Sequence, residues 1–386
     1  MDREKQAADC AMANEGRHVA ESGGMRKLRI AVVSGGTFPH TRPYIDFYRQ
    51  RGHEVFWIAF DRQIPDYGVP TFDISHGASA RRPWSKWKYL WAGLSLRKIL
   101  RRLRPDIVHG QYVSSAGPVC LLSGFRPYVL TAHGGDLLGH TKSLPRRMLL
   151  RPSLRRAALV NPVSRQLAEV VEELGVTRER ILTATLGVDM DALPYRPRVE
   201  WHSPVRLLCT RGLRAVYDPV TILRACAILK RGNTQFTCTF AAGGPMEPEL
   251  RTLARKEGLE GTVRFLGGYQ HSGIAELLYD HDIYVSASLF DGSSLSLLEA
   301  MACGIFPVVS RIPSNQGWLD EGRTALMFAP GDAMELAERI RQSLESAALV
   351  REAVQANRSR VEERGSRHRN MGLLESQLYR LLAAEG

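Results

Sequence analysis

Residues 289–309 read LFDGSSLSLLEAMACGIFPVV. Asp291-Gly292-Ser293-Ser294 is small and polar, and reads as a loop. Leu295 to Cys303 is a largely apolar, helix-forming run stopped by Gly304. Ile305 to Val309 then reads as a buried strand. Loop, helix, glycine stop and apolar strand in direct succession are the grammar of a parallel α/β sheet. Two acids, Asp291 and Glu299, stand eight positions apart, too far for one helical turn. They share a site if Asp291 lies on the loop and Glu299 a turn or two inside the helix behind it.

The same grammar runs outward from this segment. KLRIAVVSGG (27–36) is an apolar run ending in two glycines. A short helix is expected over Thr41–Arg51, stopped by Gly52, then a strand over Glu54–Phe60. Further strands are expected to end near His109 in PDIVHGQY and near His133 in YVLTAHGGD, with two short ones at 158–163 and 181–186. The second half repeats the scheme in VRLLCTRG (205–212), a helix over Asp218–Arg231, QFTCTFAAGG (235–244), VRFLGGY (263–269) and DIYVSAS (282–288). Asp332 caps an expected helix over 330–346, and a last long helix is expected over about 362–383. Prolines and charges cluster near 193–204 and mark a boundary. Two doubly wound domains with a cleft between them follow: an extension at 1–24, domains at 25–195 and 196–361, and a closing helix at 362–386.

Composition bounds the function. The chain has 386 residues, 44% of them apolar, enough for two cores rather than one. No run of 18 apolar residues marks a membrane-spanning helix. Residues 1–24 lack the apolar centre of a secretory signal and are expected to be a flexible extension. Cysteines at 10, 120, 209, 226, 238 and 303 form no CxxC pair. That argues against disulfides and structural zinc and fits a reducing cytoplasm.

The formal charge of +12 is unevenly spread. Residues 25–195 hold 26 Lys and Arg against 13 acids, whereas residues 196–359 hold 18 of each. Two stretches concentrate the excess. Residues 81–104 carry nine basic residues and no acid, with Trp84, Trp87, Trp91 and Leu94 at helical spacing. Residues 142–165 carry seven and no acid. One reading is ordinary helices with solvated arginines and buried tryptophans. The other is an interfacial surface for the anionic inner face of a membrane, on a protein otherwise cytoplasmic. Nucleic acid is set aside, because no nucleic-acid-binding module accompanies the charge.

Ligands of such sheets bind beyond the carboxyl ends of the strands. The candidate loops are therefore SGGTF, AHGGD, TRGL and FDGSS. Gly35-Gly36 permits close approach by a phosphate or a sugar. The spacing is not GxGxxG and no Walker A sequence is present, which speaks against nicotinamide and P-loop chemistry. His133 either satisfies backbone groups or points into the cleft to donate to a sugar hydroxyl or a carbonyl. His109 reads as structural. Arg211, with Arg214 three residues on, is either solvated or clamps a diphosphate with its fixed fork of donors. Asp291 and Glu299 can each accept two hydroxyls, as a vicinal diol requires. Two diols with a diphosphate between them describe a nucleotide sugar.

On these residues the chain closely resembles the retaining glycosyltransferases of family 4, the glycosyl transferases group 1. Their signature is an acid, seven residues, Glu, then A-M-A-x-G-x-P-V-V. Here it reads D-GSSLSLL-E-AMACGIFPVV, from Asp291 to Val309. The resemblance runs from Leu28 and takes in SGG, HGGD, LGVDMDAL (186–193) and FLGGY. It implies an α/β fold of two facing Rossmann-like domains, of GT-B type, with a deep interdomain cleft. The first domain would bind acceptor, the second nucleotide sugar, and the closing helix would pack back on the first.

Residue by residue, Glu299 resembles the group that holds the donor ribose, and Asp291 the acid beside the transferred sugar. Gly292, Ser293, Ser294 and Leu295 would offer amides to sugar and phosphate. Arg211 resembles the first basic residue at the diphosphate, His133 the histidine near the reacting sugar, and Gly36 the loop near the phosphates. The backbone around Gly268 would lie close to the base. The implied reaction moves a hexosyl group, with retention, from a UDP- or GDP-linked donor to a sugar or lipid-linked acceptor in polysaccharide or glycolipid synthesis. Neither a metal nor a further cofactor is implied.

Two positions depart from the pattern. The family usually has Glu at 291, and a Lys where this chain has Val216 and Tyr217. Arg214 is the candidate replacement for that lysine. The alternative reading is an inactive nucleotide-sugar-binding or scaffold protein of the same fold. Asp291 and Glu299 discriminate: a mere helix cap and surface acid could become amides without loss of ligand binding.

Overall fold

In a computed structural model, residues 26–35, 40–60, 65–75, 86–141, 144–198, 200–269 and 271–385 are described. They build two six-stranded sheets, parallel at every pairing. The first contains β1 (Arg29–Ser34), β2 (Glu54–Ala59), β3 (Thr71–Asp73), β4 (Ile107–Gln111), β5 (Tyr128–Ala132) and β6 (Leu159–Pro162), in the order β3-β2-β1-β4-β5-β6. The second contains β7 (Val205–Cys209), β8 (Phe236–Phe240), β9 (Val263–Phe265), β10 (Ile283–Ser286), β11 (Phe306–Ser310) and β12 (Leu326–Phe328), in the order β12-β11-β10-β7-β8-β9. Counted from its own first strand, each sheet follows the doubly wound order, with its switch point between the first and fourth strands.

Helices cover both faces, which is why the strands read as unbroken apolar runs without alternation. In the first domain Ala31, Val33 and Ile58 pack against Leu96, Leu100, Leu150 and Leu154. On its other face Ile30, Val32 and Trp57 pack against Tyr44, Ile45 and Tyr48 of helix Thr41–Gln50. Met371, Leu374 and Leu378 of the last helix, Arg367–Glu385, join that same layer, so the chain ends on the first domain. Arg51 and His53 reach Glu375 of that helix at 3.0 and 2.8 Å.

Two elements differ from the sequence reading. Residues 181–186 form no strand; Ile181 makes one isolated bridge to Val160. Asn161 Nδ2 takes the carbonyls of Leu182 and Ala184 at 2.8 and 2.9 Å, and Pro162 has no N–H to offer a ladder. The break before the last helix also lies later than expected. Helix Ala347–Arg364 runs past residue 362, the expected start of the last helix, and stops at Gly365, where Ser366 pairs with Val188. No helix among the described residues is long and apolar enough to cross a membrane.

Candidate active site

The carboxyl ends of β7 and β10 bring Arg211 to the loop that carries Asp291. Arg211 Nη2 lies 2.5 Å from Asp291 Oδ2, and Nη1 donates to Ser294 and Ser296, each at 3.3 Å. The guanidinium stacks 4.0 Å over the centre of the Tyr217 ring. Side-chain exposure is only 12% for Arg211 and 14% for Asp291, so solvent screens the pair weakly. Burial works against the arginine's charge. Asp291, with Tyr284, Tyr217 and Cys209 behind it, outweighs burial and raises its pKa.

Ser294 caps helix Leu295–Cys303 by accepting the Leu297 N–H. The preceding amide, Gly292 N–H, donates to Asp291 Oδ1 at 2.8 Å. Glu299 sits inside that helix and is 5% exposed. Burial pushes its carboxyl up to about 7, against the pull of Arg367 and then Arg211. Tyr269 stands beside it; burial and then Glu299 raise the phenol. Tyr269 follows Gly267, whose φ of +74° favours glycine, and Gly268, which faces open space.

The first domain contributes the turn after β5. Half-buried Asp136 folds it by accepting N–H groups from His133, Gly134 and Val113 at 3.0, 2.8 and 2.8 Å. Burial raises Asp136 to about 6 despite these donors. The His133 ring lies 4.3 Å from Tyr112 and 5.2 Å from His40, centre to centre. Burial, then His40 and His109, drive its pKa well below the ordinary value, so the ring is neutral. Its Nε2 is 2.8 Å from Gln111 Oε1. The proton therefore sits on Nε2 and is donated to Gln111, leaving Nδ1 as an acceptor. That differs from the expectation of a donor aimed into the cleft. His109 lies inside β4, bonded to Tyr48 and Thr131 at 3.0 and 2.7 Å, with burial lowering its pKa to about 3. It is structural, as read.

The two halves meet here. Gly292 packs on His133 and Gly134 backbone to backbone, and Ser293 Oγ lies 3.1 Å from Thr185 Oγ1. His40 faces Asp291 and Arg211 from the first domain, with burial lowering its pKa. Leu295 packs against the cores of both halves. Arg211, Asp291, Gly292, Ser293, Ser294, Leu295, Glu299 and His133 are thus brought together. Arg214 is exposed on the loop beyond, and Gly36 lies outside the described residues. Val216 is exposed and Tyr217 covers Arg211, so neither stands in for a lysine.

The sequence reading missed His40, Gln111, Tyr112, Tyr217 and Arg367. Tyr112 carries a φ of +69°, a strained state for a non-glycine residue, at the end of β4. Its position beyond a strand end was the available signal. Arg367 comes from the last helix: its N–H donates to Val188 O at 2.9 Å and its charge acts on Glu299. Nothing local in the sequence points to it.

Known proteins resemble this chain in sequence and in fold. The family model "Glycosyltransferase Family 4" matches residues 34–192, and "Glycosyl transferases group 1" matches residues 200–360. Glycogen synthase of Mycobacterium tuberculosis is 30% identical over 375 residues, covering 90% of this chain and 86% of that protein. The amylovoran biosynthesis glycosyltransferase AmsK of Erwinia amylovora is 29% identical over 62% of this chain, and the match spans 60% of its own length. Anabaena HepE, solved with UDP and glucose, superposes with a TM-score of 0.73 over 92% of this chain and 100% of its own, at 16% identity. That likeness shows the GT-B fold. Together the two matched models and the near full-length relative establish that the chain belongs to the glycosyl transferases group 1, within glycosyltransferase family 4.

Proposed function

We propose that the protein is a retaining hexosyltransferase. It moves a hexosyl group from a UDP- or GDP-linked donor to a sugar or lipid-linked acceptor in polysaccharide or glycolipid synthesis. One observation carries this: a half-buried Arg211 held beside Asp291, at the start of the helix that buries Glu299, against the His133-Gly134 turn of the other domain. A diphosphate fits the guanidinium fork, a ribose diol fits Glu299, and the transferred sugar fits between Asp291 and His133. The amylovoran biosynthesis named for AmsK and the UDP and glucose named for HepE support the substrate class.

In the reaction the anomeric C–O bond to the diphosphate breaks, and its electron pair leaves on the β-phosphate oxygen. The acceptor oxygen bonds to the same face of the anomeric carbon, and its proton passes to the departing phosphate. No side chain acts as nucleophile. Arg211 offsets the charge growing on the phosphate. Asp291 must share the guanidinium with the donor, because Nη1 and Nη2 already have partners and only Nε has none. Neutral His133, an acceptor at Nδ1, orients a sugar hydroxyl.

A matched donor screen tests this. UDP, GDP, dTDP and ADP sugars are offered with and without lipid extract, and nucleoside diphosphate release is followed. Release from one donor, lost in Glu299→Gln and Arg211→Ala, is expected. Removing one strong preorganised donor costs about 3 kcal/mol of barrier. No release from any donor sinks the proposal.

A further inference from the structure

Among the described residues, the large apolar side chains left exposed include Trp91 (61%), Leu94 (48%), Leu122 (40%) and Met148 (67%). These four share one region. They lie on helices Lys86–Leu103, Gly117–Ser123 and Leu144–Arg156, which pack side by side on one face of the first sheet. The fit between the first two is close: a Cβ on Gly93 would stand 2.5 Å from the Leu122 Cβ. Leu122 therefore emerges beside Trp91 and Leu94.

Cations surround the Met148 tip. Met148 and Pro152 share a shallow pocket with Arg151, Arg155 and Arg156. At the end of the same helix, Arg126, Arg155, Arg156 and Arg180 line a groove with Pro127, Tyr128 and Ala157. Arg180 is braced there by the carbonyls of Arg155 and Ala157 at 2.9 and 3.3 Å. None of these four arginines is ion-paired among the described residues. The nearby acids Glu172 and Glu173 pair instead with Arg178 and Arg147, at 3.1 and 3.7 Å, and Glu179 stands exposed beside Arg180. The groove opens at the strand starts of β5 and β6, the sheet edge opposite His133. Docking through it leaves the cleft free.

We propose that this face docks on an anionic lipid bilayer, with Arg126, Arg155, Arg156 and Arg180 on lipid phosphates and Trp91, Leu94, Leu122 and Met148 in the acyl boundary. Arginine forks match phosphate oxygens, and exposed aliphatic tips set among cations match the boundary between headgroups and chains. A nucleic-acid backbone would use the charge and leave Leu94, Leu122 and Met148 without a role. The inference stands apart from the transfer reaction, because its readout is membrane binding alone.

The test is co-sedimentation of the full chain with phosphatidylcholine vesicles, with and without phosphatidylglycerol. Binding to the anionic vesicles, weakened by salt, is expected. Arg155→Gln with Arg156→Gln should lower partitioning about 30-fold, at the usual weight of a basic residue near an anionic surface. Met148→Asp should lower it separately while salt dependence remains. Donor turnover in detergent-free buffer and the circular dichroism spectrum should be unchanged in both variants. The proposal is overturned by an absence of vesicle binding, or by equal binding of folded variants and native chain. Displacement by millimolar inorganic phosphate would also overturn it, as would binding of duplex DNA in preference to vesicles.

Discussion

Gly134 and Gly292, from different domains, touch backbone to backbone: a Cβ on Gly292 would stand 2.2 Å from the His133 carbonyl oxygen and 2.8 Å from the Gly134 Cα. This contact sets the separation between the loop that bears Asp291 and the turn that bears His133. Gly292→Ala forces backbone against backbone, so the two loops must part. A misplacement of about 1 Å between reacting groups costs on the order of 100-fold in rate. Steady-state turnover should fall by that order while the melting temperature moves little, because neither domain core is touched. Native turnover in this variant would show that the contact does not set the site.

The Arg211–Asp291 pair should be coupled in stability as well as in activity. Arg211→Met leaves a half-buried carboxylate that has lost its counter-charge and keeps the Gly292 N–H on Oδ1. Breaking a pair this enclosed from one side costs about 3 kcal/mol. Asp291→Asn costs less, since Ser294 and Ser296 still accept from Arg211. Urea unfolding of both single variants and the double should give a coupling of about 2 kcal/mol. Additive single effects would refute a direct pairing.

The frame of the site was legible because strand ends announce themselves. SGG, AHGGD, TRG and FDGSS each follow an apolar run and break it with glycine, and each described one lies at the carboxyl end of a strand. Arg211 and Asp291 were legible as neighbours because both stand on loops beyond strand ends, and the eight-residue spacing placed Glu299 inside the helix that follows. His40, Tyr112 and Tyr217 were not. Their roles arise from rings meeting across the fold, and no spacing records that. Arg367 lies 68 positions beyond Glu299, and only the return of the last helix to the first domain brings the two near. The strand expected over 181–186 failed for a local reason: Asn161 and Pro162 remove the groups a ladder needs. Periodicity reports which residues are apolar and says nothing of a neighbour's missing donor.

The clasp on the last helix predicts a remote effect. Glu375, 3% exposed, accepts from Arg51 and from His53 Nε2, while His53 Nδ1 accepts the Leu28 N–H at 3.2 Å. A neutral imidazole satisfies both ends. Glu375→Ala strands both donors and should cost about 2 kcal/mol. Leu378→Ala empties a site that is 0% exposed and should cost about 3 kcal/mol. Hydrogen exchange locates the damage. Protection should fall in β1 and β2, which lie under this helix, and hold in β7 and β8. Uniform loss across both sheets would contradict the placement of the helix on the first domain alone.

Glu299 predicts opposite pH trends for stability and for donor binding. Its carboxyl titrates at 4.5 in the unfolded chain and at about 7 in the fold, raised by burial. Between these values the native state holds a proton that the unfolded chain has released. Stability from this group is therefore complete below about pH 4.5 and is lost as pH rises through about 7, by roughly 3 kcal/mol in all. Glu299→Gln removes that slope, so melting curves of variant and native chain should converge at acid pH and diverge in the variant's favour toward pH 8. Asp136 titrates alike in both chains and cancels. Donor affinity runs the other way, because the ionised carboxylate is the better acceptor for a ribose diol; it should tighten through about pH 7 in the native chain alone. Arg367→Met removes the charge that most favours ionisation and should move that midpoint upward. Donor titrations by calorimetry from pH 6 to 8 decide the matter. An affinity flat across that range would take Glu299 out of the ribose site, whatever the melting curves show.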